Sequence, residues 1–200
     1  RIENAALDAF SLTAVASLCS QALAARSLVE GEKQFCPTLW AIVSTFSPRL
    51  SAATAEIMRK ILPGGEIDDS ASPELAKLRR EINSRRAQLT RSLESAMRNA
   101  GNAIQDAIVT IRNDRFVIPV KADFRGKVAG VAHGSSSSGQ TVYIEPLDTI
   151  DANNEIQNLK GQEEREIGRI LHSLTDLLRE HLSEVEATAS AVAEDRKSVV

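Results

Sequence analysis

A serine run bracketed by glycines, GSSSSGQT at residues 134–141, has the spacing of a phosphate-binding loop. It matches the pattern G-x-x-x-x-G-K-[ST] at every defined position except the lysine, which is Gln140 here. That lysine would hold the β- and γ-phosphates, and a phosphate loop must lead into a helix N-terminus. The β-like run QTVYIEP follows instead. We therefore interpret this serine loop (residues 134–141) as a polar connection between two strands, suited to contact with phosphates or another surface.

Two other groups of residues have types that could do chemistry. His133, the serines and Glu145 could form a Ser-His-acid set, but no nucleophile elbow or evident oxyanion hole accompanies them. The cluster Glu163, Glu164 and Glu166 could bind a divalent ion, yet on a glutamate-rich helix such carboxylates usually face solvent. We predict no catalytic and no metal-binding residues.

Composition indicates a soluble, helix-rich chain of one or two domains. Of its 200 residues 42% are hydrophobic, 26% charged and only 4% aromatic. Cys19 and Cys36 stand outside any CxxC or zinc spacing, which favours a reducing, cytoplasmic location. No apolar run approaches the roughly 20 residues of a bilayer span, so we expect no membrane partner. The first residue is Arg1 rather than Met, which suggests a piece of a longer protein.

Charge is unevenly distributed although the net charge is only −3. Basic residues dominate residues 77–98 and recur through Lys127, whereas the C-terminal third is acidic. Two helical arms of opposite sign could attract each other as an antiparallel pair. Alternatively, the basic arm could bind a polyanion, and the sequence favours neither interpretation over the other.

Helical periodicity flanks a central β-like segment. Residues 2–29 predict a first helix ended by Gly31, and Pro37 and Pro48 open two shorter helices. The signature Ser72-Pro73-Glu74 starts a long amphipathic helix of about 30 residues. From residue 151 to 194 the helical period returns, and a continuous helix there would be roughly 60 Å long.

The central segment predicts a small sheet of about four strands. The run IVTIRNDRFVIPVK reads as a hairpin turning at Asn113-Asp114, with Pro119 marking an edge or a bulge. KVAGVAHG and QTVYIEP supply two more strands around the serine loop. The predicted fold is mainly α, with long antiparallel lever helices, a small β-sheet clamp inserted at their tip and an N-terminal helical layer. Its segments are 1–105, 106–146 and 147–200.

Three long runs carry a family resemblance, namely GGEIDDSASPELAKLRREI, RFVIPVKADFRGKVAGVAHGSSSSGQTVYIEP and NNEIQNLKGQEEREIGRIL. In this order they resemble the bacterial MutS-two family, the MutS paralogues without a mismatch-reading N-terminal domain. The resemblance covers about residues 60 to 180. It implies the core, lever and clamp region, which in the family precedes an ATPase domain and often an Smr nuclease domain. The sequence has no intact Walker A or Walker B motif, so we expect no cofactor here, with ATP and magnesium bound by the ATPase domain.

The resemblance implies a gripping arm in a homodimeric ATPase. Family members are linked to suppressing homologous recombination on branched DNA and to splitting stalled ribosomes, so the expected partners are DNA, the ribosome or both. The alternative is a dimerisation or protein-interaction scaffold without nucleic-acid contact. Candidate polyanion contacts, acting by charge rather than base reading, are Arg115, Lys121, Arg125, Lys127 and His133 together with Ser136 and Ser137 of the serine loop.

Overall fold

The computed structural model describes residues 5–198, so the outermost residues of the predicted segments 1–105 and 147–200 lie outside it. The chain divides into two compact units, one formed by Arg1–Ala76 with Arg165–Val200 and the other by Lys77–Glu164. Two long helices, α4 (Pro73–Ala100) and α5 (Ile150–Arg179), contribute residues to both units. As predicted, the chain is mainly α-helical with one small four-stranded antiparallel sheet.

The first unit is helical. It contains α1 (Ala9–Glu30), α2 (Pro37–Val43), α3 (Leu50–Lys60) and α6 (Leu182–Ser198), with the first turn of α4 (Pro73–Ala100) and the second half of α5 (Ile150–Arg179). Helix α1 begins later than predicted because the Asp8 side chain accepts a hydrogen bond from the Ser11 amide at 2.8 Å and caps the helix there. The largest core cluster of the first unit comprises Leu12, Ala16, Ile57, Ile61, Ile67, Ala71, Leu75, Ile170, Leu174 and Leu178.

Helix α1 corrects our expectation that no apolar run approaches the length of a membrane span. It is 22 residues long and contains a window of mean hydropathy 1.3, which by length and composition alone would suffice. A core helix of a soluble domain has the same properties. Leu12 and Ala16 are buried in the main core of the first unit, and Ala22 packs with Val43 and Phe46. One face of helix α1 is therefore packed against the other helices of the first unit, as in a core helix of a soluble domain.

Helix α4 starts where the sequence predicts. The Ser72 hydroxyl accepts a hydrogen bond from the Leu75 amide at 3.0 Å, and Pro73 occupies the first helical position. Farther along, Leu78 and Ile82 of α4 pack with Leu159 of α5.

Pairing of the basic arm with the acidic arm, one of the two alternatives that the sequence leaves open, is observed at two positions. Arg79 Nε lies 2.8 Å from Glu163 Oε1, and Arg85 Nη2 lies 2.9 Å from Glu155 Oε1. Because the arginine number rises as the glutamate number falls, α4 and α5 run antiparallel within the second unit. Both pairs are partly exposed, so each contributes on the order of 0.5 kcal/mol.

The sheet of the second unit consists of β1 (Thr110–Arg112), β2 (Arg115–Lys121), β3 (Gly130–Ser135) and β4 (Thr141–Pro146). The strand order is β1-β2-β4-β3, and all neighbouring strands are antiparallel. The turn between β1 and β2 is at Asn113 (φ 49°) and Asp114 (φ 60°), two residue types that tolerate positive φ, so the predicted hairpin is confirmed. The predicted strands on either side of the serine loop are confirmed as β3 and β4.

Pro119 was predicted at an edge or a bulge, but it lies in β2, an interior strand, opposite Tyr143 of β4. The Pro119 carbonyl accepts a hydrogen bond from the Gln105 amide at 2.9 Å, so this carbonyl points to the side away from β4. Pairing with β1 stops at Val117, so no ladder bond on that side requires the missing N–H.

The continuous C-terminal arm is also corrected, because it is interrupted after Arg179. Helix α5 has 30 residues, about 45 Å, and α6 restarts at Leu182. The His181 amide donates to the Leu178 carbonyl at 3.1 Å, a tighter turn than in an α-helix, while the His181 carbonyl accepts from Val185 at 3.0 Å.

One face of the sheet packs on the helices. Ile118, Val120 and Ile144 share a buried cluster with Leu89, Leu93, Met97, Ala103 and Ile156. Since successive side chains of a strand alternate, the side chains of Arg115, Lys121 and Glu145 lie on the opposite face, which we call the outer face.

Candidate functional site

A buried carboxylate organises one end of the outer face. Glu145 is only 1% exposed. Arg115 Nε lies 3.1 Å from each of its oxygens and Nη2 lies 2.7 Å from Oε1, while His133 Nε2 lies 2.7 Å from Oε2. The remaining Arg115 nitrogen, Nη1, donates to Asn154 Oδ1 at 2.7 Å. Glu145 thus links β2, β3 and β4, and Arg115 extends the network to α5.

The first turns of α5 hold the β1–β2 hairpin by polar contacts. Asn153 is fully buried and bonds both backbone groups of Phe116, and the Gln157 amide donates to the Asp114 carbonyl. Lys160 Nζ lies 3.8 Å from the Asp114 carboxylate. The polar run DANNEIQNLK gives no sequence signal for these contacts beyond its helical spacing, because the partners are backbone groups distant along the chain.

Cations are concentrated at the other end of the sheet, in a segment we call the basic turn (Lys121–Lys127). Lys121 is the last residue of β2, and a 3-10 helix over Ala122–Lys127 follows. The side chains of Arg125 and Lys127 are exposed. Lys121 Nζ donates to the Asn102 carbonyl at 3.0 Å, and Lys127 Nζ lies 4.9 Å from the Phe124 ring centroid.

The serine loop lies beside the basic turn. Lys121 pairs with Thr141, and the Ala122 amide donates to the Gln140 carbonyl at 2.9 Å. Within the loop, the Ser136 amide donates to the Thr141 carbonyl at 2.8 Å, and Ser136 Oγ accepts from the Thr141 amide at 3.1 Å. The side chain of Ser137 is exposed. The loop joins two antiparallel strands and leads into no helix, which agrees with our rejection of a phosphate-binding loop.

The seven predicted contact residues therefore fall into two groups. Arg115 and His133 surround Glu145, whereas the other five lie in the basic turn and the serine loop: Lys121, Arg125, Lys127, Ser136 and Ser137. The seven residues of β2 separate the two ends by roughly 20 Å. Sequence reasoning missed the role of Glu145, since it considered that residue only as a catalytic acid.

The prediction that the glutamate cluster of α5 faces solvent is wrong for Glu166, which is 9% exposed. Ser72 Oγ donates to its Oε1 at 2.5 Å, and Arg169 donates to both oxygens at 2.6 and 2.7 Å. The hydrogen bonds from Arg169 and then Ser72 lower the pKa of Glu166 from 4.5 to about 2. Within residues 5–198, no group of three or more His, Cys, Asp or Glu side chains is arranged to hold a metal ion.

Comparison with known proteins identifies relatives for most of the chain. No protein-family model matches it. It is 37% identical over 194 residues to "Endonuclease MutS2" of Pelotomaculum thermopropionicum, an alignment covering 96% of this chain and 25% of that protein. Proteins of the same name from Halalkalibacterium halodurans and Thermomicrobium roseum are 38% and 44% identical, covering 84% and 70% of this chain.

The shares of the relatives that are matched are much smaller, at 25%, 22% and 18% of their lengths. The chain thus spans a quarter or less of each of these curated relatives. The identities agree with the resemblance carried by the three long sequence runs. The chain belongs to the MutS2 family.

Proposed function

We propose that this chain is a non-catalytic lever and clamp region of a MutS2 protein, and that it grips nucleic acid through the basic turn and the serine loop. The observation that carries this proposal is the surface formed by Arg125 and Lys127 next to the loop. Both side chains are exposed, and among the described residues neither forms an ion pair. The loop adds exposed hydroxyls within the same surface.

Such a surface suits phosphate groups better than base edges. Exposed cations attract the polyanionic backbone without reading sequence, and serine hydroxyls and amides commonly donate to phosphate oxygens. Aromatic side chains make up only 4% of the chain, which disfavours binding by base stacking. The relatives are called endonucleases, a name that implies a nucleic-acid substrate for those proteins. Branched DNA and ribosomal RNA both offer the required phosphate chemistry.

The remaining features of the longer protein are part of the same proposal. ATP and magnesium would be bound by an ATPase domain elsewhere in the protein, which would act as a homodimer in the cytoplasm. In this arrangement the present region supplies contact and no chemistry.

The experiment that tests the grip compares two triple variants of the full chain. The first changes Lys121, Arg125 and Lys127 to glutamine, and the second changes three exposed arginines of α4 to glutamine, at Arg80, Arg91 and Arg98. Affinity for a DNA four-way junction and for a ribosomal RNA helix is measured by anisotropy between about 50 and 200 mM salt. The two probes decide which nucleic acid is preferred.

The first variant should bind at least about tenfold more weakly, and the slope of log K against log salt should fall by about 2.7, or 0.9 per lost phosphate contact. The α4 variant removes the same formal charge, so it should lose much less. Equal losses in the two variants, or unchanged affinity in the first, would contradict the proposed contact.

A second candidate function, a protein-interaction scaffold, is favoured by exposed apolar side chains of the first unit. Phe10, Leu28 and Phe35 are 70%, 78% and 81% exposed. Isolated exposed apolar residues are common, but Leu28 and Phe35 follow each other within seven residues at and after the C-terminal end of α1, and large exposed apolar patches mark interfaces. Light scattering at rising concentration tests this function, and a double serine variant at Leu28 and Phe35 should remain monomeric where the wild type associates. A wild type that stays monomeric at high concentration counts against self-association.

A further inference from the structure

Cations lie at both ends of the sheet, but at one end a buried carboxylate neutralises an arginine. At the basic turn, Arg125 and Lys127 have no ion pair among the described residues. At the other end, about 20 Å away along β2, Arg115 donates to both oxygens of Glu145. The two ends therefore present different electrostatics to a polyanion, although the sequence shows basic residues at both.

The Glu145 carboxylate neutralises the charge of the Arg115 guanidinium at hydrogen-bonding distance. A guanidinium that donates two nitrogens to one carboxylate forms the strongest type of protein ion pair, with fixed direction as well as charge. Glu145 is 1% exposed, so water does not screen the pair from the carboxylate side. The side chains of Arg115 and His133 are each 18% exposed. A phosphate approaching Arg115 would have to displace an anion that is already in place.

Arg112 shows what this end would offer without Glu145. It is exposed, its guanidinium carbon lies 4.1 Å above the ring centroid of Tyr143, and it is paired with Arg115 across β1 and β2. No carboxylate neutralises Arg112 among the described residues. If Arg115 were released, the two arginines would stand side by side on adjacent strands and form a second basic site.

We propose that Glu145 is a masking residue: it holds Arg115 and His133 away from nucleic acid and so confines phosphate contact to the basic turn. The inference rests on the proposed function, and it assigns a specificity role to a buried acid that touches no ligand. Glu145 acts by removing one of two possible docking positions at the two ends of the sheet. Removing this buried acid should therefore increase the affinity for nucleic acid.

The test uses the full chain with Glu145→Gln, Arg115→Gln and a matched control, Glu94→Gln. Glu94 is an exposed acid of α4 in the same unit, so its replacement changes the net charge equally without touching the outer face. With a DNA four-way junction as probe, Glu145→Gln should bind about three- to tenfold more tightly, with a salt slope steeper by about one. Arg115→Gln should stay within about twofold of the wild type. Glu94→Gln should increase affinity by less than about twofold.

Two results would overturn the inference. One is unchanged or weaker binding by Glu145→Gln when that variant is folded. The other is a loss of threefold or more in Arg115→Gln, which would place Arg115 in the interface. The second result decides the matter even if Glu145→Gln does not fold.

A readout without nucleic acid separates this inference from the proposed function. Phenylglyoxal modifies accessible arginines, and mass spectrometry locates the products. Arg115 should be protected in the wild type and reactive in Glu145→Gln, whereas Arg112 should react in both. If no variant binds the junction but this protection is seen, the proposed function fails while the masking of Arg115 stands. Equal reactivity of Arg115 in both proteins overturns the masking itself.

Discussion

Asn153 of α5 forms a pair of hydrogen bonds with one residue of the sheet, Phe116. Its Oδ1 accepts from the Phe116 amide at 2.9 Å and its Nδ2 donates to the Phe116 carbonyl at 3.0 Å. The Phe116 backbone lies beyond the last paired residues of β2 and β4, Ile118 and Ile144. A single amide side chain therefore takes the place of the next strand residue and fixes the helix to the sheet.

Replacing Asn153 with alanine should destabilise the second unit by about 2–4 kcal/mol, because two partly buried backbone groups of Phe116 would lose their partners and the buried amide would be removed. Urea unfolding followed by circular dichroism measures the change. Asn158→Ala, at an exposed position of the same helix, is the control and should cost less than about 1 kcal/mol. Equal effects of the two substitutions would show that the Phe116 contacts contribute little.

Gly130 is required by a close approach between β3 and β4. A Cβ atom there would lie 2.2 Å from the Glu145 carbonyl oxygen and 2.6 Å from Ile144 Cγ2, so the strands would have to separate. We expect Gly130→Ala to cost about 2–4 kcal/mol and to lower the melting temperature by several degrees. Gly126→Ala is the matched control, since nothing lies within 4 Å of its added Cβ. A Gly130 variant as stable as the Gly126 variant would be inconsistent with this packing.

Because the pKa of Glu166 is lowered from 4.5 to about 2, the free energy of unfolding should depend on pH between these two values. Because the folded-state pKa is about 2 and the ordinary value is 4.5, the carboxylate stabilises the fold above pH 4.5, and this contribution is lost as the pH falls towards 2. Glu166→Gln should be less stable than the wild type by about 1–3 kcal/mol at pH 7. The difference should shrink steadily between pH 4.5 and 2.

Unfolding of both proteins at several pH values measures this effect. Glu164→Gln, which changes an exposed neighbour, is the control and should give a small difference that varies little with pH. A Glu166→Gln difference that stays constant from pH 7 to pH 2 would mean that the ion pair with Arg169 and the Ser72 hydrogen bond do not carry the effect.

The two cysteines should differ in reactivity. Cys19 is fully buried in α1, and burial raises the pKa of its thiol, whereas Cys36 is exposed. A thiol reagent such as iodoacetamide, used with mass spectrometry on the native protein, should modify Cys36 alone. Cys19 should react only after denaturant is added. Labelling of Cys19 at the native rate of Cys36 would show that α1 opens readily.

Much of the secondary structure followed from local signals. Ser72-Pro73-Glu74 predicted the start of α4 because a hydroxyl, a fixed φ and a carboxylate suit a helix N-terminus. Asn113-Asp114 predicted the hairpin because both residues tolerate positive φ. Apolar spacing predicted the faces of α4 and α5 that meet at Leu78, Ile82 and Leu159.

The errors arose where a residue's role depends on neighbours distant in the chain. Pro119 lies in an interior strand because β1 is too short to need its N–H, and strand length across a sheet is not a local property. Glu166 is buried because Ser72, 94 residues away, donates to it. The predicted C-terminal arm was too long because the apolar period continues across the interruption at Glu180-His181.

The sequence by itself determined the order of helices and strands, the basic and acidic arms, and the family, since these depend on residue types and short spacings. The tertiary structure decided which charged residues are available for contact. Arg115 and Arg125 are both arginines of the same segment, yet Arg115 is held by a buried carboxylate 30 residues away whereas Arg125 is exposed. The physical reason is that a nearby opposite charge neutralises a cation and weakens its attraction to any other anion. Strand pairing brings Glu145 next to Arg115, and such a neighbour is not visible in the local sequence.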